Sequence, residues 1–136
     1  MPGPDPAHWL HRLTADEWLA SAATELEHCR ETVERRAFRP GVTHARRAAG
    51  MAWNAVMALA EDPTFGRSYM EHVLALAKDA GAPDEVRAAA ELLRDTPPLA
   101  PQLITLGKPD LRVLEAAQRI ASYASARVAA LRAPVA

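Results

Sequence analysis

The sequence predicts an all-α fold, an antiparallel bundle of four to five helices, and three observations carry that prediction. Of 136 residues, 49% are hydrophobic but only 5% aromatic, and alanine supplies much of the apolar share. Alanine is the best helix former, whereas strands favour β-branched and aromatic side chains. Apolar residues also recur at spacings of three and four along successive segments, the period of a helix with one buried face. Helix start and stop signals, finally, separate those segments from one another.

The first helix has a complete start signal. Thr14-Ala15-Asp16-Glu17 matches a capping box, in which the Thr14 hydroxyl and the Glu17 carboxylate accept from each other's backbone amides. Leu13 and Trp18 occupy the two positions of a hydrophobic staple across that cap. Trp18, Ala22, Leu26, Cys29 and Val33 then form the apolar stripe, and Glu25, Glu27, Glu31 and Glu34 the polar face. The helix is expected from Ala15 to Arg36, with Phe38-Arg39-Pro40-Gly41 interrupting it.

A second helix is expected from Val42 to Ala60, its inner face running through Ala45, Ala48 or Ala49, Ala52, Val56 and Leu59. Gly50 inside it costs ~1 kcal/mol relative to alanine, which points to close packing. A helix this apolar is either central in the bundle or covered by a second subunit. Glu61-Asp62-Pro63-Thr64 reads as a turn. The third helix is expected from Gly66 to Ala80, with Tyr69, Val73, Leu76, Ala77 and Ala80 inward and Gly81 as its cap. Pro83-Asp84-Glu85 opens a short fourth helix facing inward through Val86, Ala89, Ala90 and Leu93. Residues 95–108 form an irregular stretch with three prolines before Leu103-Ile104-Thr105-Leu106, which is expected to fold back over a bundle end. The last helix is expected from Pro109-Asp110 to Arg132, inward through Leu111, Leu114, Ala117, Ile120 or Ala121, Ala124, Val128 and Leu131.

This length suits a single domain. Residues 1–13 read as an N-terminal extension, 14–132 as the helical domain and 133–136 as a tail. The formal net charge of −1 gives no general attraction to nucleic acid or to an anionic membrane. No apolar run approaches the ~20 residues of a membrane helix, and the N-terminus lacks a signal pattern. The single cysteine, Cys29, cannot close an internal disulfide and falls on the apolar stripe, which implies a buried thiol in a reducing cytoplasm. A cytoplasmic protein without membrane or cofactor is expected.

The candidates for chemistry are few. Gly66-Arg67-Ser68-Tyr69-Met70-Glu71-His72 brings a guanidinium, a carboxylate and an imidazole together. On a helix Arg67 and His72 lie ~140° apart, yet their long side chains can reach one phosphate, with arginine as clamp and histidine moving a proton. Arg39, Arg46 and Arg47 flank the connection between the first two helices, where an anion or nucleotide site would also draw on free helix amides. A solvated rim paired with Glu31 and Glu34 is the plainer reading. His8 and His11 have the spacing of a metal clip, and Glu25 and His28 form one Glu-x-x-His pair with no match elsewhere, so no metal site is expected. Ser68, Ser122 and Ser125 lie on no strained elbow, which excludes a serine hydrolase of the usual kind.

From Trp18 to Val128 the chain resembles the HEPN superfamily of prokaryotic helical domains. Trp18-Leu19-x-x-Ala22-x-x-Glu25-Leu26 resembles its opening helix, and His44-Ala45-Arg46-Arg47-Ala48-Ala49-Gly50-Met51-Ala52 with Asn54-Ala55 its alanine-rich second helix. Glu115-Ala116-Ala117-x-x-Ile120 resembles the last one. The resemblance implies a HEPN-like bundle, pairing as a homodimer, and work beside a small nucleotidyltransferase in a toxin–antitoxin system. Some members are metal-independent ribonucleases with an Arg-x4–6-His motif, whose spacing Arg67 and His72 satisfy. That motif normally lies at the last long helix, and its arginine is usually followed by asparagine, aspartate or histidine, where this chain has Ser68. Gly66-Arg67-Ser68-x-x-x-His72 is closer to a Gly-His-x-Leu connection of noncatalytic members. The resemblance therefore implies a module binding a protein partner or a nucleotide, with the ribonuclease as the alternative and an orphan structural or regulatory protein as a third reading.

Overall fold

A computed structural model describes residues 10–97 and 109–134. The described residues form an all-α fold without strands. A 3-10 turn at Leu10–Arg12 leads into α1 (Ala15–Glu34) and α2 (Phe38–Leu59). A second 3-10 turn at Pro63–Phe65 precedes α3 (Tyr69–Lys78), α4 (Asp84–Asp95) and α5 (Arg112–Arg132). The apolar stretch at 103–106 lies outside the described residues.

The hub is α2, which packs against α1, α5 and α3, while α4 closes on α3 and α5. Every residue from Ala48 to Met57 is buried within the single chain. The small-residue faces that left a second subunit open as a cover are thus filled by the chain's own helices. Trp53 on α2 packs between Phe65, with ring centroids 5.0 Å apart, and Tyr123 of α5, stacked at 5.9 Å. Gly50 lets the start of α3 approach: a Cβ there would stand 2.5 Å from the Tyr69 Cα.

The Thr14 capping box forms as expected, with Glu17 N donating to Thr14 Oγ1 at 3.1 Å and Thr14 N to Glu17 Oε1 at 2.9 Å. The Trp18 indole donates to the Leu10 carbonyl at 2.7 Å and ties the preceding turn to α1. The break after α1 falls earlier than expected. Arg36 takes a positive φ of 62°, Ala37 N donates to Thr32 O and Arg36 N to Val33 O, a left-handed closure with arginine in the usual glycine place. Phe38, Arg39, Pro40 and Gly41 then belong to the first turn of α2. Proline is tolerated there because the first amides of a helix have no intrahelical acceptor.

The start of α3 also differs from expectation. Gly66 has φ 71°, outside the helix, and Ser68 is the N-cap. Ser68 and Glu71 form a second capping box, with Glu71 N donating to Ser68 Oγ at 3.0 Å and Ser68 N to Glu71 Oε1 at 3.0 Å. The helix ends at Lys78, so Ala80 and Gly81 fall beyond it, and Gly81 N donates to the Asp79 carboxylate. On α4 the expected inner face, Val86, Ala89, Ala90 and Leu93, is buried. On α5 Leu114, Ala117, Ile120, Ala124 and Val128 are buried, whereas Leu131 is exposed.

Candidate functional site

The structure separates Arg67 from His72. Arg67 precedes α3 and is exposed, so the two residues do not share a helix. His72 is fully buried on the first turn of α3. Its Nδ1 lies 2.6 Å from the Phe65 carbonyl and its Nε2 2.7 Å from Asn54 Oδ1. Burial is the main influence on the imidazole and lowers its pKa, with the Phe65 carbonyl and the Glu71 carboxylate pulling it back up. The neutral ring has one N–H, which suits the Phe65 carbonyl; Nε2 is then an acceptor and bonds the Asn54 carboxamide through that group's NH₂ edge. In this arrangement His72 fastens α3 to α2 and the preceding turn. No face of the ring is open to a substrate phosphate, which corrects the expectation that Arg67 and His72 act as a pair.

Arg67 instead borders a cleft of about 610 Å³, lined by Arg12, Leu13, Trp18, Asn54, Arg67, Ser68 and Tyr69. Four local features build it. The 3-10 turn presents Arg12, α1 offers Trp18, α2 supplies Asn54 from its buried face, and the capping box fixes Ser68 and Tyr69. Asn54 is fully buried, and one polar edge of its carboxamide has no hydrogen-bond partner among the described residues. The carboxamide thus has one edge engaged by His72 and one edge unspent. Sequence reasoning missed Arg12, Asn54 and Ser68 as lining residues. Ser68-x-x-Glu71 carries a capping-box signal that would have placed the helix start correctly.

The three arginines expected to form an anion site do not converge. Arg46 reaches the C-terminal end of α4, donating Nε to Leu93 O at 2.9 Å and Nη2 to Thr96 O at 2.8 Å. It satisfies carbonyls that the helix leaves unpaired, and partial burial lowers its pKa. Arg47 turns the other way, its Nε 3.5 Å from Glu25 Oε1. Arg39 is exposed on the first turn of α2. Arg46 and Arg47 are neighbours in sequence, about 100° apart on the helix, and so serve different seams.

Glu25 departs most from the sequence reading. Placed there on the polar face, it is buried between α1 and α2. His44 Nδ1 lies 2.8 Å from Glu25 Oε1, and His28 Nδ1 3.9 Å from Oε2. The Glu-x-x-His pair of α1 therefore gains a third donor from α2, nineteen positions from Glu25 in the chain. The Tyr69 phenol borders the same place. Burial raises its pKa foremost, with Arg47 lowering it and Glu25 raising it. Next along α1, the Cys29 Sγ donates to the Gly41 carbonyl at 3.4 Å, and burial pushes the thiol up to about 11. A thiol so raised stays protonated and unreactive, as its place on the apolar stripe implied. His11 is exposed, and its would-be clip partner at position 8 lies outside the described residues.

The chain matches no family model, no curated protein and no solved structure. No described helix is long and apolar enough to cross a membrane.

Proposed function

We propose that this protein is a HEPN-like helical module that acts by noncovalent binding, and that its cleft takes a nucleotide. The unspent carboxamide edge of Asn54, in a cleft that Arg12 and Arg67 also line, carries the reading. A buried polar group without a partner costs ~1–3 kcal/mol, so a ligand that meets it recovers that cost. A base edge offers donors and acceptors to a carboxamide, and Trp18 and Tyr69 offer apolar or aromatic surface beside it. Arg12 and Arg67 border the cleft and supply the charge a phosphate needs, through guanidinium groups of a kind that can bind it bidentately. The volume of about 610 Å³ falls in the ~300–1,000 Å³ range of small-molecule sites.

Isothermal titration with a mononucleotide, and separately with inorganic phosphate, tests the reading. The expected result is 1:1 binding of the nucleotide, weakened ~10-fold or more by Arg67→Ala and left unchanged by Arg39→Ala. Absence of binding at millimolar nucleotide would sink it. The protein is also expected not to cleave single-stranded RNA in the absence of metal. Cleavage lost in both Arg67→Ala and His72→Ala, with folding intact, would restore the ribonuclease.

The resemblance adds a protein partner, either a second copy of this chain or a small nucleotidyltransferase. Sedimentation at micromolar concentration checks the first through a mass near twice 14.7 kDa. A neighbouring nucleotidyltransferase gene would support the second.

A further inference from the structure

Outside the cleft, the described residues hold one cluster whose donor set is that of a metal centre: Glu25, His28 and His44, with ligand atoms all within 4.8 Å of one another. We propose that these three side chains bind a single late first-row divalent ion, with Zn²⁺ as the physiological class. The site does not depend on the nucleotide reading of the cleft.

The donors are the first argument. Two imidazole nitrogens and one carboxylate oxygen suit Zn²⁺, Co²⁺, Ni²⁺ or Cu²⁺, whereas Mg²⁺ and Ca²⁺ call for more oxygen ligands than this set offers. Three protein ligands also leave a coordination position for water or a bound molecule, as in open zinc sites. Geometry is the second. Donors around a tetrahedral zinc lie ~3.3 Å apart, given metal–ligand bonds of ~2.0–2.2 Å. His44 Nδ1 is 2.8 Å from Glu25 Oε1 and His28 Nδ1 is 3.9 Å from Glu25 Oε2, on either side of that separation, and one ligand atom from each residue lies within 4.8 Å of the others. Small side-chain rotations close the difference, and His28 is free to make them because its side chain is 49% exposed. The two rings stand edge to face, with centroids 5.3 Å apart.

Preorganisation is the third argument. Glu25 and His28 are held one turn apart on α1, and His44 is held on α2 by the packing of the two helices. The Glu25 side chain is 11% exposed, so a bound ion would be partly shielded from water, with the exposed edge of His28 as its way in. One group opposes the ion: Arg47, whose Nε is 3.5 Å from the same Glu25 oxygen that meets His44. Its side chain is 49% exposed and can turn into solvent as the metal arrives. Arg47 thereby holds the place that a cation would take.

The test uses the full chain, stripped with chelator and titrated with Zn²⁺ and, for its visible spectrum, with Co²⁺. The expected result is one ion per chain at micromolar concentration, no competition from excess Mg²⁺, and a tetrahedral or five-coordinate cobalt spectrum. His28→Ala is the primary variant because an exposed side chain can be removed without unfolding the protein. It should weaken binding ~100-fold, at least the effect of losing a group that merely supports a ligand. His44→Ala should do the same if circular dichroism shows it folded. Arg47→Gln should tighten binding several-fold by removing the opposing charge. No stoichiometric Zn²⁺ or Co²⁺ binding, or binding that survives His28→Ala unchanged, would overturn the proposal and leave Glu25, His44 and Arg47 as a structural polar cluster only.

Discussion

Replacing Gly50 by alanine sets two effects of opposite sign against each other, and the structure decides between them. Alanine in a helix interior is favoured over glycine by ~1 kcal/mol. The Cβ it adds, however, would lie 2.3 Å from the Tyr69 Cβ and 2.5 Å from the Tyr69 Cα. Carbon atoms pack at ~3.5–4.0 Å, so relief needs a shift of more than ~1 Å. No rotamer change supplies it, because the obstruction includes backbone at the N-terminus of α3. Moving that turn disturbs the buried His72 and Val73 beside it. Overpacking of this kind costs ~1–3 kcal/mol, and a backbone clash belongs at the upper end. The net expectation is a loss of ~2 kcal/mol, a fall in melting temperature of ~8 °C at ~4 °C per kcal/mol for a chain of this size. Urea unfolding followed by circular dichroism measures it, with a lower midpoint at unchanged slope. Nucleotide binding should weaken in the same variant, since Tyr69 lines the cleft. An alanine variant as stable as wild type, or ~1 kcal/mol more stable, would refute the close approach of α2 and α3.

Two further outcomes follow from the buried and capping side chains. Burial lowers the His72 pKa in the folded state, so the unfolded chain takes up the proton first. The stability this residue contributes is full above the unfolded value of ~6.5 and is lost as pH falls toward the folded one, by up to ~1.4 kcal/mol per pH unit. His72→Gln should be less stable at neutral pH but flatter between pH ~7 and ~5, and equal slopes in the two proteins would exclude this role. Thr14→Ala should cost ~1 kcal/mol by releasing the Glu17 amide, while Thr14→Ser should keep most of it. An unchanged midpoint for the alanine variant would mean that the cap adds nothing.

What the sequence determined by itself was local. The Thr14–Glu17 box, the buried Cys29 and the inner face of α4 each rest on partners within four positions or on a repeat of 3.6 residues, and both are legible in one dimension. The break at Arg36 was less legible, because a left-handed closure usually announces itself by glycine and here an arginine adopts it. The Ser68 cap was legible but was obscured by the arginine–histidine spacing around it. Tertiary structure alone decided which polar residues face inward. Glu25 reads as solvent-facing until α2 brings His44 and Arg47 against it, and His72 reads as available until Asn54 and the Phe65 carbonyl enclose it. Arg46 and Arg47 look like one patch until α4 claims the first and α1 the second. A polar side chain can be buried only where partners replace its water. Those partners come from other helices, at separations that no spacing within one helix can encode.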